Sequence, residues 1–118
     1  MAKLIYGPVL AECIGAEPCS RWKALNWENW RLDFVGRTGT LEIHASQREF
    51  PGRRFLCFYK DDPSELNQTV NLDDFGKSGD DWWLKTYYGE WYDAGEDEII
   101  LFQTRDTRYM FRVKGEDT

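Results

Sequence analysis

The sequence predicts a single, mainly antiparallel β domain, a β-sandwich or small partly open β-barrel carrying at most one or two short helical turns. Three observations lead there. Apolar and polar residues alternate with a period of two in several short runs. Ten glycines are scattered at intervals that suit turns. At 118 residues and 42% hydrophobic content, the chain can supply one core without metal or disulfide staples, and a second domain is not expected.

Taken in order, "KLIY" and "VLAECI" flank Gly7 and Pro8 and read as two short strands. "SRWKAL" is a helical candidate with Ser20 as its cap. "WRLDFV" places Trp30, Leu32 and Phe34 on one side and Arg31 and Asp33 on the other. "TGTLEIHA" opposes Leu41, Ile43 and Ala45 to Glu42 and His44. The intervening "GRTG" supplies glycines for a turn, so residues 30–45 read as a hairpin. That turn also has the outline of the GXXG clamp of KH domains, but that clamp needs flanking helices where this one has strands.

"RRFLCFYK" has apolar residues on both faces, Phe55, Cys57 and Tyr59 against Leu56 and Phe58, the mark of a central strand or one clasped between layers. "DPSELNQTVNL" fits an extended segment or a turn of helix. "EIILFQTR" and "RYMFRVK" form a second hairpin, with Tyr109, Phe111 and Val113 facing one way.

The densest signal is "DDWWLKTYYGEWYD", residues 80–93. If residues 82–88 form a strand, Trp82, Leu84 and Tyr88 share one face and Trp83, Lys85 and Tyr87 the other. Trp91 and Tyr92 then fall in a loop between Gly89 and Gly95. One set of rings belongs to the core. The other is a platform for a partner, a base or a sugar, unless a second layer covers it.

Acids surround those rings. The net charge of −6 divides unevenly: residues 20–60 carry eight bases and four acids, residues 61–98 twelve acids and two bases. Carboxylates on a rigid sheet can imitate nucleic-acid phosphates and occupy a basic groove; they can equally keep a small protein soluble, or neutralise the basic half across a sheet. The expected function is therefore a non-enzymatic, acidic inhibitor or regulator that binds a basic, nucleic-acid-handling protein. Trp83, Tyr87, Trp91 and Tyr92 would anchor it, and Asp80, Asp81, Asp93, Asp97 and Glu98 would steer it. The alternative is a carbohydrate or small-ligand binding module using the same rings.

Other chemistry has weaker support. "DDFGKSGDD" lacks the alternating ligand order of a calcium loop. Three cysteines, Cys13, Cys19 and Cys57, without C-x-x-C spacing fit neither a zinc site nor a disulfide framework, so no cofactor is expected. Cys13 and Cys19 could pair in an oxidising compartment, or serve as two small buried hydrophobes. The N-terminus is too short in its apolar run for a signal or a membrane span, and a cytoplasmic protein is expected.

"RWKALNWENWR" interleaves Trp22, Trp27 and Trp30 with cations, a pattern that grips single strands but more often packs inside a fold; the acidic net charge argues against direct nucleic-acid binding. His44, the only histidine, has no serine or cysteine dyad the sequence can specify, although Glu42 shares its face. Finally, "ENWRLDFVGRTGTLEIHAS" resembles the E-N-x-x-W and G-x-L-x-I-H-A-S run of ASCH domains, barrels associated with RNA binding. The likeness spans residues 28–46, lacks that family's Q-P-W and G-x-K elements, and carries no functional residue across.

Overall fold

The N-terminal strand sets the architecture. In the computed structural model, which describes residues 2–19, 27–46, 53–60, 73–93 and 98–116, strand β1 runs unbroken over Ala2–Pro18. Two strands flanking Gly7 and Pro8 were expected; the structure has one. Its pairing with β2 (Thr38–Ser46) shifts register between Leu4 and Tyr6 and again between Tyr6 and Val9, which accommodates the proline's missing donor inside a continuous strand. Gly7 has φ 93°, and a Cβ there would stand 2.4 Å from the Leu41 carbonyl oxygen, so only glycine fits.

The other strands are β3 (Arg54–Tyr59), β4 (Asp74–Ser78), β5 (Asp81–Lys85), β6 (Gly89–Asp93), β7 (Ile99–Thr104) and β8 (Thr107–Glu116). They join in the order β2-β1-β8-β7-β6-β3-β5-β4, and β2 also pairs with β3. Every pairing is antiparallel. Six strands thus follow one another round a ring, β1-β2-β3-β6-β7-β8. The ring is joined between β3 and β6 by one residue pair, Arg54 with Gly89, so the barrel is partly open. The β4–β5 hairpin extends the sheet from β3.

The expected hairpin over residues 30–45 is half wrong. Its second arm is β2, but Asn29–Phe34 is a 3-10 helix. Arg31 and Phe34, three residues apart, turn inward, whereas Leu32 and Asp33 face solvent. That period of three is the 3-10 repeat, and over six residues it is easily mistaken for strand alternation. β2 pairs instead with β1 and β3.

The main core fills the ring with Phe34, Leu41, Ile43, Leu56, Phe58, Phe102, Tyr109 and Phe111, all fully buried, and with Trp82 and Leu84 from β5. At about 1.5–3 kcal/mol for each large apolar side chain buried, this interior is the main source of stability. A smaller cluster, Phe55, Cys57, Tyr59 and Tyr88, covers the other face of β3. β3 is accordingly the doubly covered central strand its sequence indicated. The β7–β8 hairpin likewise stands where expected, its turn tied by the Thr104 hydroxyl, which accepts from the backbone N–H groups of Asp106 and Thr107.

One buried polar node ties the periphery to the core. Asp73 Oδ2 accepts from Arg31 Nε at 2.9 Å and from the Tyr109 hydroxyl at 2.6 Å, while Oδ1 accepts from the Tyr87 backbone N–H at 2.7 Å. The Arg31 guanidinium also lies over the Trp30 ring at 4.5 Å and the Trp27 ring at 5.6 Å. These tryptophans therefore pack a cation within the fold. Trp22, "SRWKAL" and "DPSELNQTVNL" lie outside the described residues. Among the described residues, no helix is long and apolar enough to cross a membrane.

Candidate functional site

The strand expected over residues 82–88 ends at Lys85, and the loop expected to hold Trp91 and Tyr92 is strand β6. Within each strand the alternation then decides each ring's fate. Trp82 points into the main core and Trp83 away from it; Trp91 packs against the main core and Tyr92 points outward, 53% exposed. Tyr88, expected beside Trp82 and Leu84, instead joins the cluster on the other face of β3, because the chain leaves the strand at Thr86 and turns a corner.

The predicted residues fall into three places. Asp80 and Asp81 are exposed at the β4–β5 turn, where Gly79 takes φ 61°. Trp83 and Tyr87 are half-buried: the Trp83 indole occupies the space a side chain on Gly76 would need, and the Tyr87 ring is covered by the Arg105 guanidinium at 4.6 Å. Trp91, Tyr92, Asp93 and Glu98 gather at the end of β6 and the start of β7. Asp97 lies outside the described residues. Since β5 and β6 both run antiparallel to β3, Trp83 opposite Tyr59 and Gly89 opposite Arg54, the Asp80 and Asp81 acids sit at the opposite end of the β5–β6 run from Asp93.

The third group gains a residue that sequence reasoning left unassigned. The Tyr6 ring, inward from β1, packs on Trp91 with centroids 4.9 Å apart. Burial raises the Tyr6 phenol above its ordinary pKa, and the nearby charges of Asp93 and Glu98 raise it further. Glu98 is held at φ 53° while its carbonyl accepts from the Val113 N–H at 2.9 Å. Trp91 Nε1 is buried without a hydrogen-bond partner. Two exposed carboxylates thus lie near the packed Tyr6 and Trp91 rings, with Tyr92 exposed on the opposite face of β6, and carboxylates beside rings suit an ammonium or guanidinium group. No pattern in "KLIYGP" pairs Tyr6 with a segment more than eighty positions away; only the barrel does.

A second polar group lies on the other face of β2 and β3. His44 Nε2 is 2.8 Å from Glu42 Oε1, and the Tyr59 hydroxyl donates to Glu42 Oε2. The hydrogen bond from His44 leads in holding the Glu42 carboxyl below its usual range, against the opposing effect of burial, and Tyr59 adds to it. An ionised Glu42 accepts from a proton-bearing Nε2, and Nδ1 is buried and without a partner. The ring stacks on Phe55, centroids 5.4 Å apart and 12° between planes. The sequence pointed to Glu42 and His44 as face-mates; Tyr59 completes the group through the β2–β3 register.

Cys13, Cys19 and Cys57 are free thiols; the Cys13 Sγ donates to the Gly15 carbonyl and the Cys19 Sγ to the Thr104 carbonyl. Burial pushes the Cys13 thiol up to about 11, which makes it a poor nucleophile. Among the described residues no group of three or more His, Cys, Asp or Glu side chains is arranged to hold a metal. No protein-family model, curated protein or solved structure matches the chain.

Proposed function

We propose that the protein is a non-enzymatic interaction protein, an acidic inhibitor or regulator that binds a basic partner of the nucleic-acid-handling kind. The observation that carries this reading is the end of β6, where the exposed carboxylates of Asp93 and Glu98 lie near the packed Tyr6–Trp91 pair while Tyr92, 53% exposed, points the other way. A partner's arginine or lysine would meet a carboxylate and an aromatic surface together, while its approach is steered by the wider negative field. Asp80 and Asp81, at the other end of the run, belong to that field rather than to the contact.

The test is a pull-down from host lysate at low and high salt, followed by kinetics on the partner recovered. Lysine at Asp80 and Asp81 slows association and flattens its salt dependence, whereas Tyr92→Ala speeds dissociation. Failure to recover any basic protein at low salt, or a partner indifferent to both changes, overturns the proposal.

A further inference from the structure

Beside the single pair that joins β3 to β6 opens a cleft of about 490 Å3. That volume lies within the roughly 300–1,000 Å3 typical of small-molecule sites. Arg53 precedes β3 on one side, Arg105 and Gln103 stand at the end of β7 on the other, and Glu90 lines it from β6.

The inventory of hydrogen-bonding groups there is lopsided. The Gln103 side-chain oxygen already accepts twice from Arg108, at 3.2 Å each, which leaves its amide N–H groups. The Thr104 hydroxyl is committed to the β7–β8 turn. Arg105 is exposed, forms no ion pair with a described residue, and has its guanidinium laid on the Tyr87 ring at 4.6 Å. Tyr87 is in turn pinned through its backbone N–H by the buried Asp73. Two guanidiniums and an amide donor therefore line one cleft of a chain whose net charge is −6, against one carboxylate, Glu90.

We propose that this cleft binds a small organic oxyanion, with Arg105 as the charged donor and Gln103 as a neutral one. Stacking on Tyr87 holds the Arg105 fork in place, so less side-chain freedom is lost on binding. Glu90 sets the preference: its charge repels the anion, and a phosphate dianion more strongly than a monoanionic carboxylate. The site is separate from the Tyr92 corner, and its fate does not bear on the partner proposed above.

The experiment is a heteronuclear NMR titration of the full chain with benzoate and with inorganic phosphate at millimolar concentration, and with benzylamine as the cationic control. Benzoate is expected to give saturable shifts centred on the amides of Gly89, Glu90, Thr104 and Arg105, with phosphate weaker and benzylamine silent. Arg105→Gln should weaken benzoate about tenfold, the loss of a charge-assisted contact, and Glu90→Gln should tighten it. Both side chains are exposed, so an unchanged melting temperature separates lost binding from lost fold. Saturation by phosphate alone would identify a phosphate-bearing ligand in the same oxyanion site. No saturable shift with either anion, or binding unaffected by Arg105→Gln, overturns the proposal.

Discussion

Replacing Asp73 by alanine removes the acceptor that three groups share. The carboxylate is 1% exposed and its Arg31 partner 9%, so the pair is buried, and breaking one side of a buried pair costs about 3–5 kcal/mol. Three contacts moderate the loss for Arg31: its Nη1 still donates to the Glu28 carbonyl at 2.9 Å, its Nε still donates to the Tyr109 hydroxyl at 3.1 Å, and its guanidinium still lies over Trp30. The Tyr109 hydroxyl loses the acceptor for its proton while still accepting from Arg31, and the Tyr87 N–H gains no such relief. About 3 kcal/mol is therefore expected, the lower end of that range. Urea unfolding reads it as a fall in midpoint at unchanged slope. The double variant Asp73→Leu, Arg31→Met should lose less than Asp73→Ala alone, because no charge is stranded. A loss below about 1 kcal/mol, or a double variant worse than the single, would refute the reasoning.

Two further predictions concern pH. Burial, then the Asp73 charge, raises the Tyr109 phenol well above its ordinary 10.0, and Tyr6 is raised as well. The folded state thus holds protons that the unfolded chain releases: stability is full below pH 10.0 and falls above it, by about 1.4 kcal/mol per pH unit for Tyr109 until the folded group itself ionises, with Tyr6 adding in the same direction. Denaturation at rising alkaline pH should show that slope, and Tyr109→Phe should reduce it. Glu42 has the opposite sense. Its depressed folded value contributes stability above the ordinary 4.5 that is lost as pH falls through the folded value, so Glu42→Gln should flatten the acid limb of the stability curve while leaving the alkaline limb intact.

What was legible in the sequence follows a physical line. β3 and the β7–β8 hairpin were readable because a strand buried on one or both faces must alternate or be wholly apolar. The 3-10 segment was misread because a period of three and a period of two differ little over six residues. β1 was split in two because Gly-Pro is an ordinary strand breaker; only the register shifts against β2 let it continue. The aromatic doublets of residues 80–93 have a common answer. Neighbours in a strand face opposite sides, so Trp82 with Trp83 and Trp91 with Tyr92 each send one ring inward and one outward, and a doublet within a strand signals a sheet whose two faces both carry rings. The Tyr6–Trp91 contact and the Asp73 node join segments far apart in sequence, and no local pattern encodes them.

The charge asymmetry bears on the same surface. Were the acidic and basic halves to neutralise each other, their side chains would meet in ion pairs. Among the described residues one such pair links them, Arg31 with Asp73, and a second, Lys77 with Asp33, joins a base of the acidic half to an acid of the basic half. The second joins exposed side chains, where screening leaves little net stabilisation. Asp80, Glu90 and Glu98 form no ion pair with a described residue and stand exposed. Exposed, unpaired carboxylates add to the field a distant cation feels, which falls off over about 8 Å at physiological salt. Partner capture through Tyr92 should therefore weaken in rate before it weakens in lifetime as salt rises, whereas an oxyanion in the Arg105 cleft, working against the same field, should meet less repulsion as salt rises. Opposite salt trends in association for the two ligands would follow from one charge distribution, and matching trends would mean that at least one of the two sites is wrongly placed.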